Sequence, residues 1–142
     1  MTLPLQSPEI QAFATGFPVT LLHAGVTVVM LFAAATVYVL LTPHKEITLI
    51  RDGNTAAAVS LGGVLVGLAM PLAVSLKAST GLVDLALWGV AVTLVQLLIF
   101  RVVDLILRGL PQRIQDGEMA AAAMLVGAKL ATALILAAAV SG

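Results

Sequence analysis

Four separate stretches of the sequence are apolar over about 20 residues, the length that a helix needs to cross a bilayer core of about 30 Å. They cover residues 19–41, 55–76, 85–107 and 119–141. The chain is 61% hydrophobic and only 10% charged, whereas a soluble domain carries about 25% charged residues. The four stretches also lack the polar stripe of a helix that faces water. The sequence therefore predicts an all-α membrane protein with four transmembrane helices.

Residues 1–18 precede the first predicted span and are interpreted as a separate interfacial segment. Ser7 suits the N-cap of a short surface helix, Pro8 suits its first position, and Pro18 is expected to end it. A disordered tail is the alternative. The first seventeen residues contain no Lys or Arg, so the pattern of a cleavable signal peptide is missing.

The Lys and Arg residues of the short loops predict the orientation of the chain in the membrane. Loops 42–54 and 108–118 each hold two of these residues, the connection between the second and third spans holds only Lys77, and both tails hold none. We therefore expect both long loops in the cytoplasm and both termini outside. Trp88 is then expected at the outer interface and Tyr38 at the inner one.

An offset of 64 residues aligns residues 50–54 (IRDGN) with residues 114–118 (IQDGE), and the alignment continues through an alanine triplet in each copy. We predict two tandem helical hairpins, 19–76 and 85–142, which share one orientation as a parallel internal repeat. In each turn glycine supplies a permissive backbone, and an acidic or amide side chain suits the cap of the next helix. A structural role is sufficient to explain this loop motif, which comprises Asp52, Gly53, Asn54, Asp116, Gly117 and Glu118.

Small residues recur at four-residue spacing in the second and fourth spans. Gly63 and Gly67 form one such pair, and Gly127 and Ala131 form the equivalent pair under the same offset. Small faces let helix backbones approach closely in lipid. We expect the second and fourth spans to pack against each other or against partner subunits.

Lys129 is the only charged residue of the fourth span and lies near its middle. A charge at the centre of a bilayer costs about 2.5–3.5 kcal/mol on insertion scales, so such a residue marks a candidate functional site. The predicted intramembrane polar site combines Lys129 with Gln96, Asp104 and Arg101. Three interpretations remain open: Lys129 pairs structurally with Gln96 or Asp104, lines a polar cavity or pore, or joins subunits. Arg101, Asp104 and Arg108 are expected to form an interfacial salt-bridge cluster.

The remaining residues give no indication of an enzyme. The sequence has no HExxH motif, no Gly-rich phosphate loop, no nucleophile elbow and no cysteine, so we expect no catalytic residue, metal or cofactor. The net charge of zero gives no attraction for nucleic acid. Pro43, His44 and Glu46 in the first long loop are more consistent with a surface role than with catalysis.

Several short runs are specific enough to compare with a family. They are residues 41–46 (LTPHKE), 54–57 (NTAA), 62–63 (GG), 71–72 (PL), 88–89 (WG) and 95–100 (VQLLIF). These runs resemble the bacterial YjfL family, also known as domain of unknown function 350. The resemblance implies a four-span protein of the bacterial inner membrane with a duplicated two-helix unit. Related genes often stand beside genes for phage-shock-type membrane proteins and peptide-ligating enzymes, which implies a role in envelope maintenance.

The leading hypothesis is a non-enzymatic, homo-oligomeric component of envelope maintenance or membrane-stress response, with the lipid bilayer as its surroundings. One alternative is a small channel or transporter whose conduit is lined by Lys129 and Gln96. Another is a membrane anchor that docks a soluble or membrane protein partner through its cytoplasmic loops.

Overall fold

A computed structural model describes residues 7–42 and 45–142 of the chain, and every regular element in these ranges is a helix. Four helices are long and apolar enough to cross a membrane, which confirms an all-α chain with four candidate spans. Two short helices, which the sequence did not predict, lie between them. The order is α1 (Pro8–Leu41), α2 (Glu46–Arg51), α3 (Thr55–Ala78), α4 (Leu82–Ile106), α5 (Leu110–Gln115) and α6 (Met119–Ser141).

Helix α1 begins where the sequence predicts but does not end at Pro18. The Ser7 hydroxyl accepts a hydrogen bond from the Ile10 backbone N–H at 3.3 Å, and Pro8 is the first helical residue, so the predicted cap is confirmed. The helix then continues through Pro18 to Leu41. Proline removes one backbone hydrogen bond, whereas ending the helix would leave four carbonyl groups without intrahelical partners. The prediction of a separate helix before the first span was therefore wrong.

The two long loops have the same backbone structure at the predicted offset of 64 residues. Gly53 and Gly117 have φ angles of +88° and +84°, a left-handed conformation that side chains with a Cβ disfavour. The Gly53 N–H donates to the Ile50 carbonyl at 3.0 Å, and the Gly117 N–H donates to the Ile114 carbonyl at 2.9 Å. In both loops the motif therefore ends a short helix in the left-handed turn that favours glycine.

The residue after each of these glycines behaves differently in the two copies. Asn54 caps α3, since its Oδ1 accepts from the Ala57 N–H at 3.0 Å. Its Nδ2 also donates to the Ile114 and Gln115 carbonyls at 3.0 and 3.1 Å, which connects the start of α3 to the end of α5. Glu118 makes no side-chain cap, and its carboxylate pairs with Arg113 instead. The predicted side-chain cap is thus present in the first copy and absent from the second.

Helix α3 lies at the centre of the bundle and packs on α1, α4 and α6, most extensively on α6. Its two predicted small residues are buried in these contacts. A Cβ at Gly63 would lie 2.6 Å from Cγ2 of Val126 on α6, and a Cβ at Gly67 would lie 2.7 Å from Cζ of Phe100 on α4. The small residues of α3 therefore allow α6 and α4 to approach its backbone.

The corresponding residues of α6 do not take part in this packing. Gly127 and Ala131 are exposed, and no atom of the described chain lies within 4 Å of a Cβ built on Gly127. The expectation that the second and fourth spans pack against each other is confirmed, since α3 packs most extensively on α6, but the small face of α6 takes no part in that contact. The physical reason is that α6 turns a different face inward, the one that carries Lys129.

Replacing Gly63 by alanine tests the close approach of α3 and α6. The new Cβ would overlap the stiff Val126 side chain, and overpacking of this kind costs about 1–3 kcal/mol. We expect Gly63→Ala to lower the melting temperature of the protein in detergent. The neighbouring Gly62→Ala is the matched control, because a Cβ there meets no atom within 4 Å. Equal melting temperatures for the two variants would contradict this packing.

Candidate functional site: a polar cavity at the loop end of the bundle

The ammonium group of Lys129 is buried inside the bundle and has two polar partners. Lys129 stands ten residues after the start of α6, roughly 15 Å along the helix, and is 2% exposed. Its Nζ lies 2.9 Å from Oδ1 of Asp104 and donates a hydrogen bond of 2.7 Å to the Tyr38 hydroxyl. Tyr38 and Asp104 both lie in the last turn of their helices, so the lysine side chain extends towards the loop end. One cation thus connects α1, α4 and α6.

Two aromatic rings complete the surroundings of the ammonium group. Nζ lies 4.9 Å from the centroid of the Tyr38 ring and 5.5 Å from that of Phe100. The two rings contact each other edge to face, with centroids 6.3 Å apart. Ring faces attract cations within about 6 Å, and the attraction is stronger when water is excluded. The site therefore combines an ion pair, a hydrogen bond and two cation–π contacts.

The structure decides between the two partners that the sequence proposed for Lys129. Asp104 is the ion-pair partner, whereas Gln96 makes no hydrogen bond to it. Gln96 is 0% exposed, and neither polar atom of its amide has a partner within residues 7–42 and 45–142. Asp104 pairs with Lys129 rather than with Arg101 or Arg108, so the predicted arginine–aspartate cluster is wrong. The two arginines have no ion pair in the described ranges.

A cavity of about 330 Å³ opens above this ion pair, between the ends of the long helices and the two loop helices. We call it the loop-end cavity. Its wall has a polar part and an apolar part. The polar part comprises Tyr38, Thr42, Glu46, Ser60, Arg101, Asp104, Arg108, Gln112, Gln115 and Lys129, and the apolar side chains are Leu49, Leu105, Pro111, Ile114 and Leu125.

Glu46, the first residue of α2, is the least solvated carboxyl group outside the predicted spans. It is 5% exposed, and its Oε2 is buried without a hydrogen-bond partner among the described residues. Burial raises the pKa of Glu46 to about 7, while the Lys129 ammonium lowers it and Asp104 raises it by smaller amounts. Glu46 therefore holds its proton to a much higher pH than an exposed glutamate does. The cavity is lined by three cationic side chains, those of Lys129, Arg101 and Arg108. It is lined by only two carboxyl groups, those of Glu46 and Asp104.

Comparison with known proteins places this arrangement in a family. The profile of the Domain of Unknown Function (DUF350) matches residues 12–140, nearly the whole chain. The chain belongs to the DUF350 family. It is 34% identical over 107 residues to the UPF0719 inner membrane protein YjfL of Escherichia coli strain K12, covering 75% of this chain and 80% of the relative. The YjfL protein of Escherichia coli O157:H7 matches to the same extent. No solved structure matches the chain.

In this DUF350 chain most of the predicted loop motif lies away from the cavity. Asp52 and Asp116 are exposed beside the left-handed turns, and Pro43 and His44 lie outside the described residues. Of the predicted loop residues in the described ranges, only Glu46 lines the cavity. Gly53 and Gly117 end short helices, Asn54 caps α3, and Glu118 pairs with Arg113.

Sequence reasoning missed Tyr38 and Arg108 as members of the site. Tyr38 was expected at the membrane interface, yet it is 2% exposed, because its hydroxyl accepts from the buried Lys129. The only signal in the sequence was the position of Tyr38 along its span. Tyr38 lies about one turn before the end of the first span, and Asp104 lies equally close to the end of the third. Arg108 was assigned to a salt bridge that does not form.

A double-mutant cycle on Lys129 and Asp104 tests the buried ion pair. Removing one partner leaves an uncompensated charge in an apolar site, which costs about 3–5 kcal/mol. We expect Lys129→Met and Asp104→Asn each to lower the free energy of unfolding strongly. The double variant should lose much less stability than the sum of the two single losses. Unfolding in detergent measures these effects, and Lys77→Met, on an exposed residue at the opposite end, is the control. Additive losses would show that the two groups do not interact.

Proposed function

We propose that this protein is a non-enzymatic integral protein of the inner membrane that acts as an oligomeric component of envelope maintenance or membrane-stress response. The four candidate spans support the location, as does the similarity to the YjfL relatives, which are inner membrane proteins. The family resemblance supports the envelope role. The loop charges favour a cytoplasmic position for the loop-end cavity, with both termini outside.

The observation that supports an oligomer best is the uncovered small face of α6. Ala123, Gly127 and Ala131 follow one another at four-residue spacing and are all exposed. Under the 64-residue offset, Gly127 and Ala131 correspond to Gly63 and Gly67, which are covered by Val126 and Phe100. In lipid, helices associate mainly where small residues let their backbones approach. The α6 face therefore offers a second copy the kind of contact that α3 makes inside the chain.

A parallel duplication of the hairpin accounts for this correspondence. It is supported by the sequence match between residues 50–54 and 114–118. It is also supported by backbone hydrogen bonds that occur at equivalent positions, 64 residues apart, in the two turns. If the two hairpins are duplicated and share one orientation, the small-residue face of α6 is equivalent to the small-residue face of α3. One of the two faces is buried within the chain and the other is not, so assembly of several chains would cover the second face.

Substitution of Gly127 tests the oligomer. We expect the purified protein to form one defined oligomer in mild detergent and in nanodiscs, as measured by light scattering or native mass spectrometry. Gly127→Leu should shift the population to smaller species, since the larger side chain blocks close approach of the backbones. Gly25→Leu, at an exposed glycine of α1 with equally open space, should leave the oligomer intact. A monomeric wild-type protein in both media would refute the proposal.

A small channel or transporter is the second candidate, and the unpartnered polar groups of α4 favour it. Both amide atoms of Gln96 and the hydroxyl of Thr93 are buried without hydrogen-bond partners in the described ranges. Leaving such a group unpaired costs about 1–3 kcal/mol, which water or a passing solute would offset. Asp104, Gln96 and Thr93 follow one another along α4 away from the loop end. They would continue a hydrated path from the cavity into the bundle.

Cysteine accessibility tests for this conduit, because the chain contains no native cysteine. In a hydrated path Gln96→Cys should react readily with a charged, membrane-impermeant thiol reagent. Leu98→Cys, on the exposed outer side of the same helix, should react slowly in a bilayer. Equal and slow reaction at both positions would contradict a conduit. Solute flux in proteoliposomes that is unchanged by Lys129→Leu would also contradict it.

A further inference from the structure

Two guanidinium groups in the loop-end cavity have no anionic partner. Arg101 and Arg108 line the cavity, and neither forms an ion pair within residues 7–42 and 45–142. The carboxylate nearest to them in the sequence, Asp104, is already paired with Lys129. Guanidinium groups bind phosphate and carboxylate oxygens through paired N–H donors. This part of the cavity is therefore suited to an anion.

The cavity is also lined by Glu46, one of whose carboxyl oxygens has no hydrogen-bond donor among the described residues. Oε2 of Glu46 is buried and unpartnered among the described residues, and the side chain is 5% exposed. A buried acceptor without a donor is costly, and an ammonium group offers three N–H donors together with a positive charge. This oxygen belongs to the short helix α2, whereas both arginines belong to α4 and the turn that follows it.

The position of the cavity indicates where its ligand comes from. It lies at the ends of the four long helices, the level at which lipid headgroups meet a spanning bundle. Leu105 lines the cavity and is also 58% exposed on the outside of α4. The cavity therefore reaches the surface that contacts lipid, where an acyl chain can continue along the bundle.

We infer that the loop-end cavity binds a zwitterionic phosphate–ammonium group, as in the phosphoethanolamine headgroup of a phospholipid, with the phosphate on Arg101 and Arg108 and the ammonium on Glu46. A simple anion would leave the buried Oε2 of Glu46 without a donor. A simple amine would be repelled by both arginines. Only a group that carries both charges satisfies both sides of the cavity. This inference does not depend on the oligomer proposed above.

Binding of matched phospholipids to the delipidated protein in mild detergent tests the inference. Phosphatidylethanolamine, phosphatidylcholine and phosphatidylglycerol with identical acyl chains are compared by the rise in melting temperature with lipid concentration. All three carry the phosphate, but only the first has N–H donors on a cationic nitrogen. We expect phosphatidylethanolamine to bind about tenfold more tightly than the other two, the factor expected for one charge-assisted hydrogen bond.

Two variants test which residues bind the phosphate and which binds the ammonium group. Glu46→Gln keeps the shape of the neutral acid. It should bring the ratio of the affinities for phosphatidylethanolamine and phosphatidylcholine close to one. Arg101→Gln should weaken binding of all three lipids by a similar factor. Arg51→Gln is the matched control, since Arg51 is exposed near the same end and does not line the cavity. It should change none of the affinities.

Soluble phosphoethanolamine distinguishes a lipid from a free ligand with the same chemistry. Binding of the lipid alone supports a headgroup site, and binding of the soluble compound with equal affinity supports a site for the free zwitterion. Equal affinity of the wild-type protein for all three lipids, together with no binding of phosphoethanolamine, would overturn the inference. A loss of binding in Arg51→Gln as large as that in Arg101→Gln would also overturn it, because it would show non-specific attraction to surface charge.

Discussion

The buried ammonium group of Lys129 is the interaction on which the rest of the bundle depends. A lysine in the middle of a membrane helix must reach water or find compensating partners, because lipid offers neither solvation nor counter-charge. Here Asp104 supplies the charge, Tyr38 supplies an acceptor, and two rings supply cation–π contacts. Because these partners come from α1 and α4, the charge of α6 determines how three helices approach one another at their loop ends.

This requirement also distinguishes α6 from α3. The residue 64 positions before Lys129 is Leu65 of α3, which needs no polar partner. Helix α3 can therefore bury its glycine face against its neighbours, whereas α6 must bury the face that carries the lysine. The glycine of α6 then remains on the outside. The glycine-containing face is thus internal on α3 and external on α6, the helix that carries the buried lysine.

The ion pair also forms the floor of the loop-end cavity, and this gives the cavity its chemical character. Since Asp104 is engaged with Lys129, the two arginines beside the cavity have no ion-pair partner in residues 7–42 and 45–142. Since α2 closes over the bundle end, Glu46 is removed from water, and its pKa rises to about 7. Arg101, Arg108 and Glu46 therefore line one small space without pairing with each other. Such an arrangement suits a ligand that carries both charges.

The sequence by itself determined the class of fold, the four spans, the glycine turns and the central importance of Lys129. These features follow from local properties: hydrophobic length, the φ preference of glycine, and the cost of a charge in lipid. The tertiary structure alone decided that Asp104 rather than Gln96 compensates the lysine, that Tyr38 is internal, and that Glu46 lines a cavity. Each of these depends on how helices distant in sequence are rotated about their axes. Apolar helices carry little information about rotation, because nearly every face of them is compatible with lipid.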